Sequence, residues 1–236
     1  MTVPTPFQSY YSLLQVTLSV HRLSTYRLPS DQDDLDAAAR YLWNMALCEA
    51  LYPALQAQEI ALRNALHEGI SKLHGVMWFD TPSLLDSFAQ HAVASVRSDL
   101  VKDRKPLTPG HIVARLTFGF WTSLFNRAYE RTLWQQLLRR PTPFSHAGSL
   151  RTRSDLSVRM NRIRRLRNRI FHHEPIWYRS TLAQDHADVL EARGWIDPIF
   201  KRTVDTIDRF PTVYQQGTPH YRSIVTAFCA HERLAP

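Results

Sequence analysis

Glycine and lysine are both scarce in this sequence: there are seven glycines in 236 residues, and 4 lysines among 29 basic residues. So few glycines exclude a collagen-like chain, and no G-x-x-x-x-G-K-[ST] phosphate loop occurs. Cysteine is scarcer still. Cys48 and Cys229 allow at most one bridge and no metal clip, and neither a cysteine dyad nor a serine nucleophile elbow is present, so we expect a reduced, cytoplasmic protein. Long apolar runs are also missing: apolar stretches such as residues 116–126 fall short of the about 20 residues that a spanning helix needs. Residues 1–20 carry no Lys or Arg ahead of their apolar residues and no small-residue cleavage site, which argues against a secretory signal. No membrane partner is expected.

What is present is an ordinary globular composition. With 44% hydrophobic and 21% charged residues, disordered and coiled-coil chains are excluded and a self-sufficient core is expected. The charge is lopsided. The 29 basic residues against 21 acidic give +8, and 25 of the basic ones (29 − 4) are arginine, whose planar fork grips phosphate at two points where lysine offers a point charge. Residues 139–179 hold eleven arginines against two acids, Asp155 and Glu174, a surplus of nine. Such a surplus is either a solvated face or a surface for a polyanion, of which nucleic acid is the natural example.

The punctuation predicts helices throughout, and strand-like alternation is nowhere sustained. Residues 1–34 hold no long periodic segment. Residues 35–52 predict a helix rich in Ala and Leu, Pro53 a break or kink that opens the next helix, and Gly75 the end of that helix. Thr81 before Pro82 predicts a helix start running to about residue 102; Thr108 before Pro109 repeats the device and opens a segment to about residue 140, interrupted at Gly119. Residues 141–149 predict a loop, and Ser154 the N-cap of a basic helix that Pro175 stops. Further helices are expected near residues 182–193, 198–209 and 219–233. No repeat or linker is visible, so the expectation is a single all-α domain over 1–236, with a core at 35–180 and a helical C-terminal extension at 181–236.

At 100° per residue, Leu156, Met160, Ile163, Leu166 and Ile170 fall within about 120° of one another and form the core-facing stripe of the basic helix. Asn161, Arg164, Arg165, Asn168 and His172 gather on the other side, with Asn168 and His172 one turn apart. Arg167 departs from the pattern. It lies about 40° from the centre of the apolar stripe, where an arginine either snorkels outward or meets a carboxylate, a second chain or a ligand phosphate. The helix after Pro53 carries the complementary anomaly: Glu59 sits about 20° from the centre of the stripe Leu55, Leu62, Leu66, Ile70 and Leu73. Its partner is either Arg63, one turn later, or Arg167 across the core.

From Arg167 to His172 the chain reads Arg-Asn-Arg-Ile-Phe-His. This resembles the R-N-x-x-x-H motif of the HEPN superfamily, and the longer string LRNRIFHHEPIW, residues 166–177, is similar to its abortive-infection-like (Abi-like) bacterial members. Three upstream stretches resemble the same family in the same order: YLWNMALCEALYP at 41–53, QEIALRNALHEGI at 58–70 and LTFGFWTSLF at 116–125. The position of Phe171, often small in that family, is bulkier here. The resemblance, over residues 35–180, implies an α-helical, HEPN-like bundle that forms a homodimer, in which two Arg/His motifs meet as a composite active site. It also implies a metal-independent endoribonuclease in phage defence or a toxin-antitoxin pair. RNA is then the substrate, and an antitoxin protein or regulatory RNA the restraining partner.

RNA brings its own nucleophile, the 2′-OH, so cleavage without a metal needs only proton transfer and charge stabilisation at the phosphate. Histidine exchanges a proton at cellular pH, and arginine neutralises charge on the phosphorane oxygens. The expected roles are therefore His172 as acid/base, Arg167 as electrostatic clamp, and Asn168 as holder of the imidazole or the phosphate. Glu59, Arg63 and His173 stand in support, and Arg164, Arg165 and Arg169 face the RNA. The products are a 2′,3′-cyclic phosphate and a 5′-OH. Five helical residues set Arg167 and His172 about 140° apart, so either a distorted helix end before Pro175 or a two-fold dimer has to bring both functions to one phosphate. No metal or other cofactor is expected, because His172, His173 and Glu174 lack the i, i+4 histidine spacing of a helical zinc site. Trp43, Trp121 and Trp134 read as core, while Trp177 and Tyr178 either stack on a base or pack the loop back. Two other classes stay open: a helical dimer that binds RNA or a nucleotide without cutting it, and a structural helical protein.

Overall fold

Strong helix formers between Asp34 and His74 build one helix of 41 residues, the longest element of the protein among the described residues. The computed structural model describes residues 9–139 and 152–234, and within them the chain is all-helical with no strand, the class the sequence predicts. Two short helices, α1 (Tyr10–Leu18) and α2 (Val20–Ser24), precede the long α3 (Asp34–His74). A 3₁₀ turn at Trp78–Asp80 leads to α4 (Ser87–Lys102), α5 (Pro109–Arg115) and α6 (Phe118–Ser123). A π turn at Glu130–Trp134 runs into the short α7 (Gln135–Leu137). The basic helix α8 (Arg153–Phe171) follows, then α9 (Leu182–Ile196), α10 (Pro198–Asp205) and α11 (Phe210–Glu232). No helix among the described residues is long and apolar enough to cross a membrane.

Several boundaries differ from those the sequence predicts. Pro53 does not break α3, which runs through it. A proline withholds one N–H, here the donor to the Glu49 carbonyl, and the flanking Ala50, Leu51, Ala54 and Leu55 are all buried, a packing that a break would forfeit. α4 starts at Ser87 rather than at Thr81-Pro82, because the Asp86 carboxylate accepts from the Ala89 N–H at 2.9 Å. A carboxylate at the positive end of a helix is favoured over a neutral hydroxyl. Thr108 and Pro109 open α5 as expected, but the interruption falls at Leu116; Thr117 caps α6, and Gly119 lies inside it. α8 is capped by Thr152 instead of Ser154: Thr152 Oγ1 accepts from the Asp155 N–H at 3.2 Å, and Asp155 Oδ2 accepts from the Thr152 N–H at 2.9 Å. Gly217, at φ 59°, interrupts α11, and Pro219 opens its second piece. The loop expected at 141–149 lies outside the described residues.

The structure divides into two compact units, neither contiguous in sequence. The first draws on residues 9–52, 169–184 and 208–234. Its core rests on small residues of α3: Tyr11, Leu23 and Tyr26 cluster with Ala37, and Val225 and Cys229 of α11 with Leu35 and Ala38. Arg40 is buried at 6% exposure. Its guanidinium makes a two-point pair with Asp31, donates to the Tyr26 carbonyl, and lies 5.3 Å from the centre of the Trp177 ring. That pairing holds the Asp31 carboxyl below its ordinary range.

The second unit draws on residues 53–139, 152–168 and 185–207. Leu55, Leu62, Leu66 and Ile70 of α3 are buried here, as are Leu156, Met160, Ile163 and Leu166 of α8, so both predicted stripes face a core. Leu73, at the end of its stripe, is half-buried. Gln58 joins the two helices directly, its Nε2 donating to Met160 Sδ at 3.7 Å. Trp121 and Trp134 are fully buried, and Trp121 meets Phe120 edge-to-face with ring centres 5.0 Å apart. Trp43, in the first unit, is half-buried and its indole N–H donates to the Val213 carbonyl at 3.0 Å.

Candidate nucleic-acid site

Arg167 leaves α8 next to the buried Leu166 and remains half-buried, with its side chain 26% exposed. Its Nε donates to Glu59 Oε2 at 3.3 Å, so the two anomalies of the apolar stripes meet. Arg63 is not the partner of Glu59; its Nη1 donates to the Ala114 carbonyl at 3.3 Å. A charge-assisted bond between half-buried groups restricts the guanidinium to few orientations. Asn168, the next residue, is half-buried and makes no side-chain hydrogen bond with the described residues.

α8 ends in a Schellman arrangement. The His173 N–H donates to the Ile170 carbonyl at 3.0 Å and the Glu174 N–H to the Arg169 carbonyl at 2.8 Å, while His173 takes φ 58°, the left-handed position that glycine usually fills. His172 is thereby the C-cap. Its imidazole is exposed and makes no hydrogen bond with the described residues. His173 is exposed as well, and its carbonyl accepts from Arg22 Nη2.

The chain after the cap belongs to the first unit and folds back onto α3 within it. Asn44, at 5% exposure, accepts on Oδ1 from the N–H groups of Ile176 (2.7 Å) and Trp177 (3.2 Å). Trp177 lies against Tyr26, with ring centres 6.3 Å apart, so it packs the loop; Tyr178 stays exposed. Arg169 serves the same loop. Its Nη2 donates to the Pro175 carbonyl at 3.1 Å and to Tyr178 Oη at 2.8 Å, and its Nε is 3.5 Å from Glu174. Phe171 stacks on Tyr52 with ring centres 5.8 Å apart. Asn44 was missed by sequence reasoning; its signal is a lone amide in an otherwise apolar helical turn.

Much of the positive charge on α8 is matched by acids. Arg153 pairs with Glu130 and donates to the Phe125 carbonyl at 2.7 Å. Arg159 lies 2.6 Å from Glu191 and 3.4 Å from Asp188, and Arg162 lies 2.8 Å from Asp185 and 2.9 Å from Asp188. Arg164 and Arg165 are the α8 arginines that meet no carboxylate among the described residues; Arg165 is exposed, and Arg164 Nη2 donates to Asn161 Oδ1 at 3.2 Å. The local surplus is thus smaller in space than along the chain. Asp185, Asp188 and Glu191 follow at i, i+3, i+6, a ridge of acids that counting within residues 139–179 overlooks.

Both cysteines are free thiols, and burial pushes the Cys48 thiol up to about 11, away from a reactive thiolate. No group of three or more His, Cys, Asp or Glu side chains converges among the described residues. No family model, curated protein or solved structure matches the chain.

Proposed function

We propose that the protein is a metal-independent endoribonuclease of HEPN type that acts as a homodimer in phage defence or a toxin-antitoxin pair. The observation that carries this reading is the end of α8, where His172 presents an exposed imidazole that no described residue engages. Two further features of the helix support it: Arg167 is oriented by Glu59, and Arg164 and Arg165 meet no carboxylate among the described residues. In this reading the 2′-OH attacks the adjacent phosphorus, the P–O5′ bond breaks, and a 2′,3′-cyclic phosphate and a 5′-OH remain. His172 takes the 2′ proton or delivers one to the leaving 5′ oxygen. Arg167 stabilises the charge on the phosphorane oxygens, and Asn168 holds the imidazole or the phosphate. A second copy supplies a second His172, so that one imidazole acts as base and the other as acid. A restraining antitoxin protein or regulatory RNA, and a cytoplasmic setting, belong to the same proposal.

Substitution separates catalysis from binding. His172→Ala lowers cleavage at least about 100-fold and leaves RNA affinity within about twofold of the wild type. Replacing Arg164 and Arg165 together by alanine weakens binding and reduces the slope of log K against log salt by roughly 0.7, the amount for one single-strand phosphate neutralised by an arginine. An unchanged slope contradicts the role of the two arginines. RNA bound but left intact by the wild type identifies the alternative, an RNA- or nucleotide-binding helical dimer without catalysis.

A further inference from the structure

Within the second unit, the start of α4, the helix α6 and the outer side of α8 enclose an open cleft of about 270 Å³. Arg164 lines it. Its Nη2 is fixed on Asn161 Oδ1, its Nε is buried without a hydrogen-bond partner, and Asn161 is itself held by the Ser157 carbonyl at 2.9 Å. The cleft therefore contains a guanidinium whose direction is set by Asn161. Asp86 supplies the opposite chemistry, a carboxylate anchored by the Ala89 N–H at 2.9 Å. Asn126 adds an amide, and Phe88, 60% exposed, adds an aromatic face at the rim.

A carboxylate in the lining disfavours a bare phosphate, which the arginine alone would attract. The combination suits a planar ligand that carries acceptors on one edge and donors on the next. Guanine has this pattern: O6 and N7 match an arginine fork, N1–H and the 2-amino group match a carboxylate, and the ring stacks on an aromatic side chain. Adenine places a donor where guanine has O6. The volume lies just below the roughly 300–1,000 Å³ of drug-sized sites, which fits one base or nucleoside and no duplex.

We propose that this cleft is a guanine-binding pocket formed by Arg164, Asn161, Asp86 and Phe88. Two sources share that chemistry, a guanine within an RNA strand and a free guanine nucleotide; the first rests on the ribonuclease reading and the second does not.

The test titrates the full chain with guanosine 5′-monophosphate and adenosine 5′-monophosphate by calorimetry. The pocket predicts binding of the guanine nucleotide with at least a tenfold preference over adenine. Gly119→Leu then abolishes that binding: Gly119 lines the cleft, and a Cβ there makes only an ordinary contact with Thr117 Oγ1, at 3.6 Å, so the helix accepts a side chain that occupies the cleft. Phe88→Ala, an exposed change, weakens binding about tenfold, and His172→Ala leaves it unchanged. Absent binding, equal binding of both nucleotides, or indifference to Gly119→Leu overturns the pocket. Tighter binding of a guanine-containing oligoribonucleotide than of the mononucleotide assigns the base to RNA, and the reverse assigns it to a free nucleotide. Cleavage of RNA without guanine-nucleotide binding removes the pocket and keeps the ribonuclease; guanine-nucleotide binding by a protein that cuts no RNA does the opposite.

Discussion

Arg167 and Glu59, 26% and 23% exposed, form a half-buried pair in which each charge depends on the other. Urea denaturation of Glu59→Gln, Arg167→Gln and the double variant should give a coupling of about 1 kcal/mol, since charge-assisted bonds of this kind contribute more than neutral ones. Zero coupling would show that the contact orients nothing. Glu59 was legible in the sequence because a carboxylate inside an apolar stripe demands a partner. Which arginine answers it was not, because i, i+4 spacing favours Arg63 and the observed partner is 108 residues away. Arg169 is a similar case. Nothing local distinguishes it from Arg164 and Arg165, yet Pro175 and Tyr178 engage it once the chain turns back, so it braces the loop after the motif.

Helix ends were read less well than helix bodies, and α8 shows why at both termini. At its start, Thr152, Ser154 and Asp155 are all competent caps; the reciprocal Thr152–Asp155 bonds decide among them. At its end Pro175 predicts the stop, but the left-handed residue is a histidine in place of the usual glycine. That geometry yields a prediction for the element. His173→Gly should raise stability by about 0.5–1 kcal/mol because glycine adopts φ 58° without steric cost, and His173→Val should lower it by about 1–2 kcal/mol because a branched side chain does not. Urea unfolding measures both. Cleavage should survive in the glycine variant, since the role of His173 is to close α8 and set His172 as its C-cap; loss of activity there would assign its imidazole a chemical role. α4 follows the same logic as the start of α8: the Asp86 N–H donates to Tyr129 Oη at 3.2 Å, a contact 43 residues away that no local pattern reveals.

For the molecule as a whole, the all-helical class was legible from periodicity and from the prolines and caps between segments. The partition into two interleaved units was not, because it depends on pairs such as Asn44 with Ile176, 132 residues apart, and Gln58 with Met160, 102 apart. The shifted groups predict a two-step response of stability to pH. Burial lowers the pKa of His67, whose Nδ1 accepts from the Trp78 indole N–H at 3.0 Å and must be unprotonated to do so. The unfolded chain then binds that proton more readily, so stability is full above about pH 6.5 and falls as the pH drops below it. Asp31, held down by Arg40, and Asp33, held down by Arg222, add stability that is present above the ordinary carboxylate range and lost below about pH 4. Melting temperature against pH should show both steps, and His67→Gln should remove the first; a flat profile down to pH 5 in the wild type contradicts this assignment. The proposed cleavage of RNA is tested most directly by incubating the purified protein with total RNA in EDTA beside His172→Ala and identifying the fragment ends. The ribonuclease should leave fragments ending in 2′,3′-cyclic phosphate and beginning with 5′-OH, absent with the variant. Intact RNA, or fragments produced equally by the variant, would contradict it.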